Sequence, residues 1–426
     1  FSQVPLMWQT PSGILVATAL ILAVVPYATA AECQAHKPVV VIPGIMGTVL
    51  EGTAKNIPHS ISLPSVCPRS FKKHRMWIAA ENFLPYVGEC YMEYMMLRWN
   101  ESGEWHTVPG MNMTVPRFGE FYSVESLDPS MVFKKISQTF LKFKKHMQAL
   151  GYTDGVDLVS AGYDWRLPPD AAWMAATRAL VERVVATTGR KAVLVAHSMG
   201  CPYTYAFLMS QPREWVAGHI DSFVAAAGPW AGTAKAVNSF FVGFADYVPI
   251  AGYPYAPLAR NLVSTWLLLP RTNAFGAYTL LATTPSRNYT YADVARLLDD
   301  SGMDHTAAKL AVGWDIFTRW SPNYTIPLGV PTVCLAGSDL ATPGTIVFTK
   351  DIVRGTPNGK WTHSKTSVPI DGDGTVPLVS AEYACRRWAR FGGNTTSLTL
   401  SGAGHLGMVK DTRFFRVVTD LACSPN

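Results

Sequence analysis

A serine, a histidine and an aspartate occur in the order and the settings that acyl transfer through a covalent intermediate requires. Ser198 stands in Ala196-His197-Ser198-Met199-Gly200, a small-x-Ser-x-Gly pattern. A serine hydroxyl attacks an ester poorly at neutral pH. It needs an adjacent base to take its proton, a third group to orient that base, and donors for the oxyanion. The pattern suits a sharp strand-to-helix turn, because bulky side chains at its flanking positions would clash. Val193-Leu194-Val195 reads as the strand before it and Met199 to Met209 as the helix after it. Ala196 replaces the usual first glycine, a small-for-small change.

In this order of elements the base comes last. His405, in Gly402-Ala403-Gly404-His405-Leu406-Gly407-Met408, lies on a glycine-rich loop between a strand over Ser397 to Leu400 and the final helix. His59, His219 and His363 lack that strand-loop-helix setting, and His197 points away from its neighbour Ser198 on a sharp turn. Two aspartates compete for the acid. Asp373 lies in Asp371-Gly372-Asp373-Gly374-Thr375-Val376-Pro377, whose glycines let the backbone present a carboxylate, while Asp339 follows the strand Thr332 to Ala336. Asp371 reads as a turn-former bonded to its own backbone. Residue types alone leave both Asp373 and Asp339 open. The oxyanion donors expected are the backbone N–H groups of Met199 and of Ile45, the latter in the turn Pro43-Gly44-Ile45-Met46-Gly47.

Short β-branched runs alternate with helical patterns, which implies βαβ units around a mainly parallel sheet flanked by helices, an α/β-hydrolase fold. Predicted strands cover Pro38 to Ile42, Val156 to Ser160, Ala192 to Ala196, Ile220 to Ala226 and Thr332 to Ala336. Ala171 to Thr188 reads as a helix capped by Asp170 and stopped by Gly189, with Trp173, Ala176, Leu180 and Val184 on one face. The spacing of Phe133, Ile136, Phe140 and Phe143 predicts an amphipathic helix over 133–145. From about Gly232 to Val330 the periodicity degrades into aromatic, Pro- and Gly-rich sequence, as an inserted cap over a sheet would. A closing helix is expected near Met408 to Leu421.

Only 15% of residues are charged against 48% hydrophobic, which argues against a nucleic-acid binder or a disordered chain. The uncharged apolar run Ile14 to Val25 is shorter than the roughly 20 residues a spanning helix needs. Followed by Ala28-Thr29-Ala30, it reads as a signal peptide over 1–30, leaving 31–426 as the hydrolase domain. It lacks Lys or Arg before the apolar run, so an uncleaved membrane anchor is the other reading. Candidate N-glycosylation acceptors at Asn100, Asn112, Asn288, Asn323 and Asn394 agree with a secretory route. Seven cysteines fit an oxidising compartment, and none has zinc-ligand spacing, so neither a metal nor a cofactor is expected.

Taken together, several motifs resemble the lecithin:cholesterol acyltransferase and lysosomal phospholipase A family. They are Val39 to Gly47, Phe118 to Asp128, Gly162-Tyr163-Asp164-Trp165-Arg166, the turn at Ser198, Gly228 to Thr233, the Asp373 loop and Gly404-His405. The resemblance favours Asp373 as the acid. It also implies a lid over 67–90 closed by a Cys67–Cys90 disulfide, a second bridge Cys334–Cys385, and Trp77 as a lipid contact, with a core aromatic as the other reading of Trp77. Cys201 resembles a free thiol of the acyltransferase branch, though a small buried hydrophobe is the preferred reading, and Cys33 and Cys423 can pair or stay free. Asp164 and Arg166 read as a structural pair. Family members often carry a polar residue where this chain has Ile45.

The expectation is an exported phospholipid acyl hydrolase or O-acyltransferase, secreted or in the lysosomal lumen. Its partners would be a phospholipid membrane or lipoprotein surface and a sterol or other lipid alcohol, with no activating protein evident from the sequence. A neutral-lipid lipase or esterase, or a non-catalytic lipid-binding protein of the same fold, are the alternatives.

Overall fold

A computed structural model of the chain describes residues 33, 36–84, 86–128, 137–244, 255–352 and 363–424. The signal-peptide segment lies outside them. Among the described residues no helix is long and apolar enough to cross a membrane.

Six parallel strands form the central sheet: β1 Val39–Ile42, β2 Leu158–Ser160, β3 Ala192–His197, β4 Ile220–Ala226, β5 Thr332–Ser338 and β6 Thr395–Ser401. Their spatial order is β6-β5-β4-β3-β1-β2, with every neighbouring pair parallel. Strands covered by helices on both faces must be apolar throughout, and β1 and β3 are buried along their length. The α/β-hydrolase expectation therefore holds.

Helix α1, Ala171–Thr188, starts where Asp170 accepts the Trp173 N–H and ends at Gly189, whose φ of 67° few other residues adopt cheaply. Its buried face is wider than the expected one, taking in Val181, and is shifted at one position. Thr177 is buried and Ala176 is exposed. The helix expected from Phe133 begins only at Leu141, and residues 129–136 lie outside the described ones. Just before the helix, Ser126 bridges Gln138 and the Thr139 N–H donates to the Glu125 carbonyl. That extended pairing overrides the helical spacing. Phe140 and Phe143 are still buried.

Residues beyond Gly232 contain more regular structure than their sequence suggests. Helices Ala234–Val242 and Thr306–Thr318 accompany shorter ones, and strands Leu280–Thr283 and Asn288–Thr290 join a second sheet. That sheet also takes Leu340–Phe348 and His363–Gly372 as an antiparallel pair. The inserted region is thus stitched to the segment that leads into Asp373, beyond the boundary at Val330. A third sheet, Phe71–Trp77, Leu50–Ala54 and Met111–Thr114, lies after β1 and carries the loop between Cys67 and Cys90.

Arg166 is fully buried where these parts meet. Its guanidinium grips Asp164 through Nε (2.9 Å) and Nη2 (2.7 Å), and Nη1 donates to the Met95 carbonyl at 3.2 Å. The Arg166 carbonyl accepts the Val263 N–H at 3.0 Å. One residue thereby ties the helix Val87–Met95, through its side chain, and the inserted region, through its backbone, to the sheet. Replacing it by Leu strands the Asp164 charge and a buried carbonyl. A loss of about 3 kcal/mol is expected, the low end for breaking a buried pair because Asp164 keeps some solvent access. A urea midpoint unchanged in Arg166→Leu would refute it.

Candidate active site

Ser198 follows β3 with φ of 55°, a left-handed backbone that is costly for any residue with a side chain. The strain is what lifts the hydroxyl above the sheet, and glycines nearby permit it. A Cβ at Gly200 would stand 2.4 Å from the Pro43 carbonyl oxygen, and one at Gly44 2.7 Å from Ser198 Cβ. The turn Pro43–Gly47 after β1 is therefore pressed directly against the serine, with Ile45 at its centre and Met199 opening the helix Gly200–Ser210.

The His405 imidazole places Nε2 2.9 Å from Ser198 Oγ, while its Nδ1–H donates to Asp373 Oδ2 at 2.7 Å. All three residues are buried. The other carboxylate oxygen of Asp373 accepts the N–H groups of Thr375 (2.9 Å) and Val376 (2.7 Å). The His405 N–H also donates to the Asp373 carbonyl. Burial pushes the Asp373 carboxyl up, but the adjacent His405 and those two N–H groups outweigh it and hold the group below its ordinary value. Asp339 is exposed and accepts from its neighbour Ser338 instead. Asp371 does not close on its own backbone. Its carboxylate accepts the Asp339 N–H at 2.7 Å.

One neighbour that spacing did not single out also bears on this line. His197 is buried and its Nε2–H donates to the His405 carbonyl at 2.9 Å. Burial, with His405 beside it, pushes its pKa down to about 3, so the ring stays neutral and keeps that donor. Adjacency to the serine was the visible signal, but the 208-residue separation from His405 concealed the partner.

A model of the lecithin:cholesterol acyltransferase family matches residues 71–325. Rat lysosomal phospholipase A and acyltransferase is 31% identical over 94% of this chain and 93% of its own length. The chain belongs to the lecithin:cholesterol acyltransferase family. Human phosphatidylcholine-sterol acyltransferase is 29% identical over 89% of this chain and 83% of its own length. Among solved structures, a chain in the crystal structure of the Tle4–Tli4 complex superposes with a TM-score of 0.51 at 14% identity, covering 91% of this chain and 98% of that one, a likeness of fold alone.

The cysteines expected from the family resemblance to pair are joined, Cys67 to Cys90 and Cys334 to Cys385. Cys33 and Cys423, left open above, form a third bridge that ties the start of the described chain to the last helix. Cys201 is free and fully buried. Its thiol donates to the carbonyls of Ala196 and Ala226, and burial pushes its pKa up, which suits the small-hydrophobe reading.

Trp77 departs from its expected place at a lipid surface. It is only 2% exposed, because its indole N–H donates to the Met46 carbonyl and its ring packs edge-on against Trp165. Of the candidate glycan acceptors, Asn112, Asn288, Asn323 and Asn394 are exposed, while Asn100 is half-buried and accepts the Glu104 N–H. Among the described residues no cluster of three or more His, Cys, Asp or Glu side chains is placed to hold a metal.

Proposed function

We propose that this protein takes a fatty-acyl group from a glycerophospholipid onto Ser198 and passes it to water or to a lipophilic alcohol. The hydrogen-bonded line Asp373–His405–Ser198, in a chain of this family, is the observation that carries the reading. Ser198 Oγ attacks the ester carbonyl while its proton moves to His405 Nε2, and Asp373 steadies the imidazolium. The oxyanion forms within reach of the Ile45 and Met199 N–H groups. Collapse of that intermediate breaks the C–O bond to the glycerol. The leaving alkoxide takes the proton from His405, and the acyl-serine remains. Water or an alcohol then repeats the sequence in reverse.

The segment closed by Cys67–Cys90 supplies a surface for a phospholipid layer and serves as the lid. Leu84, Tyr86 and Val87 are exposed there, with Val66 just before it, an apolar group that would find lipid a better solvent than water. Beside them a groove of about 430 Å³ is lined by Phe71, Met76, Tyr91 and Tyr94, with Lys72 available to phosphate head groups. Residues 31–426 form the hydrolase domain, and about 232–330 cap the sheet above the serine. Disulfides and four exposed glycan acceptors support passage through the secretory route to an extracellular or lysosomal destination.

Phosphatidylcholine vesicles with and without sterol, incubated with purified protein from pH 4.5 to 7.5, test the reading through their products. Free fatty acid with lysophospholipid is expected without sterol. Sterol ester appearing when sterol is present would identify the alcohol acceptor. Vesicles recovered intact at every pH would sink the proposal.

A further inference from the structure

Three aromatic side chains converge on the turn that carries Ile45. The Tyr163 hydroxyl donates to the Pro43 carbonyl at 2.8 Å, Trp77 Nε1–H to the Met46 carbonyl at 2.7 Å, and Trp165 Nε1–H to the Thr48 carbonyl at 3.2 Å. The Tyr163 backbone N–H adds a bond to Thr48 Oγ1. All three rings are buried, and Trp77 meets Trp165 edge-on with centroids 5.1 Å apart. Met46 has φ of 59°, a backbone conformation that favours glycine and persists only when its surroundings hold it. The pinned carbonyls bracket the peptide that bears the Ile45 N–H, so they set where that donor points.

The three donors come from different parts of the fold. Tyr163 and Trp165 follow β2 and belong to the sheet scaffold. Trp77 ends the strand Phe71–Trp77, lies opposite Leu50, and sits inside the segment that Cys67–Cys90 closes. That segment also bears the exposed apolar side chains. A donor aimed at an oxyanion loses much of its value with small misplacement, since displacements near 1 Å can cost about 10²-fold in rate.

We propose that Trp77 is a positioning residue of the acyl-transfer site. Its indole N–H holds the Met46 carbonyl, so the lipid-facing segment also fixes the aim of the Ile45 N–H. The inference rests on Ile45 being an oxyanion donor and Ser198 the nucleophile. It gives Trp77 a role in turnover separate from contact with lipid.

Trp77→Phe keeps most of the ring and removes only the donor. Its assay uses p-nitrophenyl butyrate, a soluble ester, so docking on a membrane plays no part. Rates are normalised to sites titrated to completion with a fluorophosphonate. We expect kcat per titrated site to fall about 10-fold with KM within twofold, and the labelling rate to slow in parallel. Wild-type kcat per site in folded Trp77→Phe overturns the proposal, as does a deficit that vanishes on normalisation, which marks a merely structural role. Should Trp77→Phe fail to fold, Tyr163→Phe decides: it deletes one hydroxyl from the same clamp, and unchanged kcat overturns the proposal whereas a fall supports it. Wild-type protein that takes no label, or labels as fast as Ser198→Ala, instead marks failure of the underlying serine-hydrolase reading.

Discussion

Ser198→Ala is expected to abolish fluorophosphonate labelling and to lower ester turnover by about 10⁶-fold, the order seen when the serine of such a triad is removed. Among the described residues the hydroxyl is the nucleophile that meets His405 Nε2, at 2.9 Å. Little structural cost should accompany its loss, since a single hydroxyl is removed and no large cavity opens. The positive φ persists, because the Ser198 N–H remains bonded to the Ala226 carbonyl and the Cys201 N–H to the Ser198 carbonyl. Circular dichroism of the variant should therefore match the parent. Retained labelling of a folded Ser198→Ala protein would remove the nucleophile assignment.

Asp373→Asn is expected to cost about 10⁴-fold in kcat while Asp339→Asn stays within twofold. The geometry explains the size of the first effect. Thr375 and Val376 N–H groups both point at one carboxylate oxygen, so an asparagine would keep its oxygen there and turn its NH₂ toward His405. His405 Nδ1 would then have to accept, leaving the proton on Nε2, where it cannot take the serine proton. Asp339 has no such role, being exposed and bonded to Ser338. Equal losses from the two variants, measured on one soluble ester, would refute the assignment.

The same carboxylate carries a pH signature. Its folded pKa lies below the ordinary value near 4, so it favours the folded state above that range. This contribution is lost only as pH falls through the lowered folded value. Asp373 therefore stays ionised at lysosomal acidity, and a loss of turnover between pH 5 and 6 would have another source.

The parts of this protein that spacing could reveal were those built locally. The strand before Ser198, the helix after it, Asp170 at the start of α1 and Gly189 at its end depend on neighbours a few residues away, so their chemistry is written in consecutive sequence. The same holds for the glycine-rich loops around Asp373 and His405. What periodicity misread involved partners far along the chain. Ala176 and Thr177 exchange places because the packing of α1 decides which face is buried. The helix expected from Phe133 starts at Leu141 because Gln138 pairs across to Ser126.

For the site, residue type and order narrowed the candidates to one serine, one histidine and two aspartates. Residue type could not separate Asp373 from Asp339, because both follow strands onto loops and both carboxylates are chemically able; the family resemblance favoured Asp373, and the fold brings that carboxylate to His405. The strand pair Leu340–Phe348 and His363–Gly372 carries the chain away from Asp339 and returns it 34 positions later, so that Asp373 meets His405. Trp77 shows the same limit from the other side. The family resemblance put this tryptophan of the disulfide-closed loop at a lipid contact, yet a carbonyl 31 residues away claims its N–H. Sequence by itself determined which groups could do the chemistry; the tertiary structure decided which of them face one another, because hydrogen bonds and burial depend on distance in space.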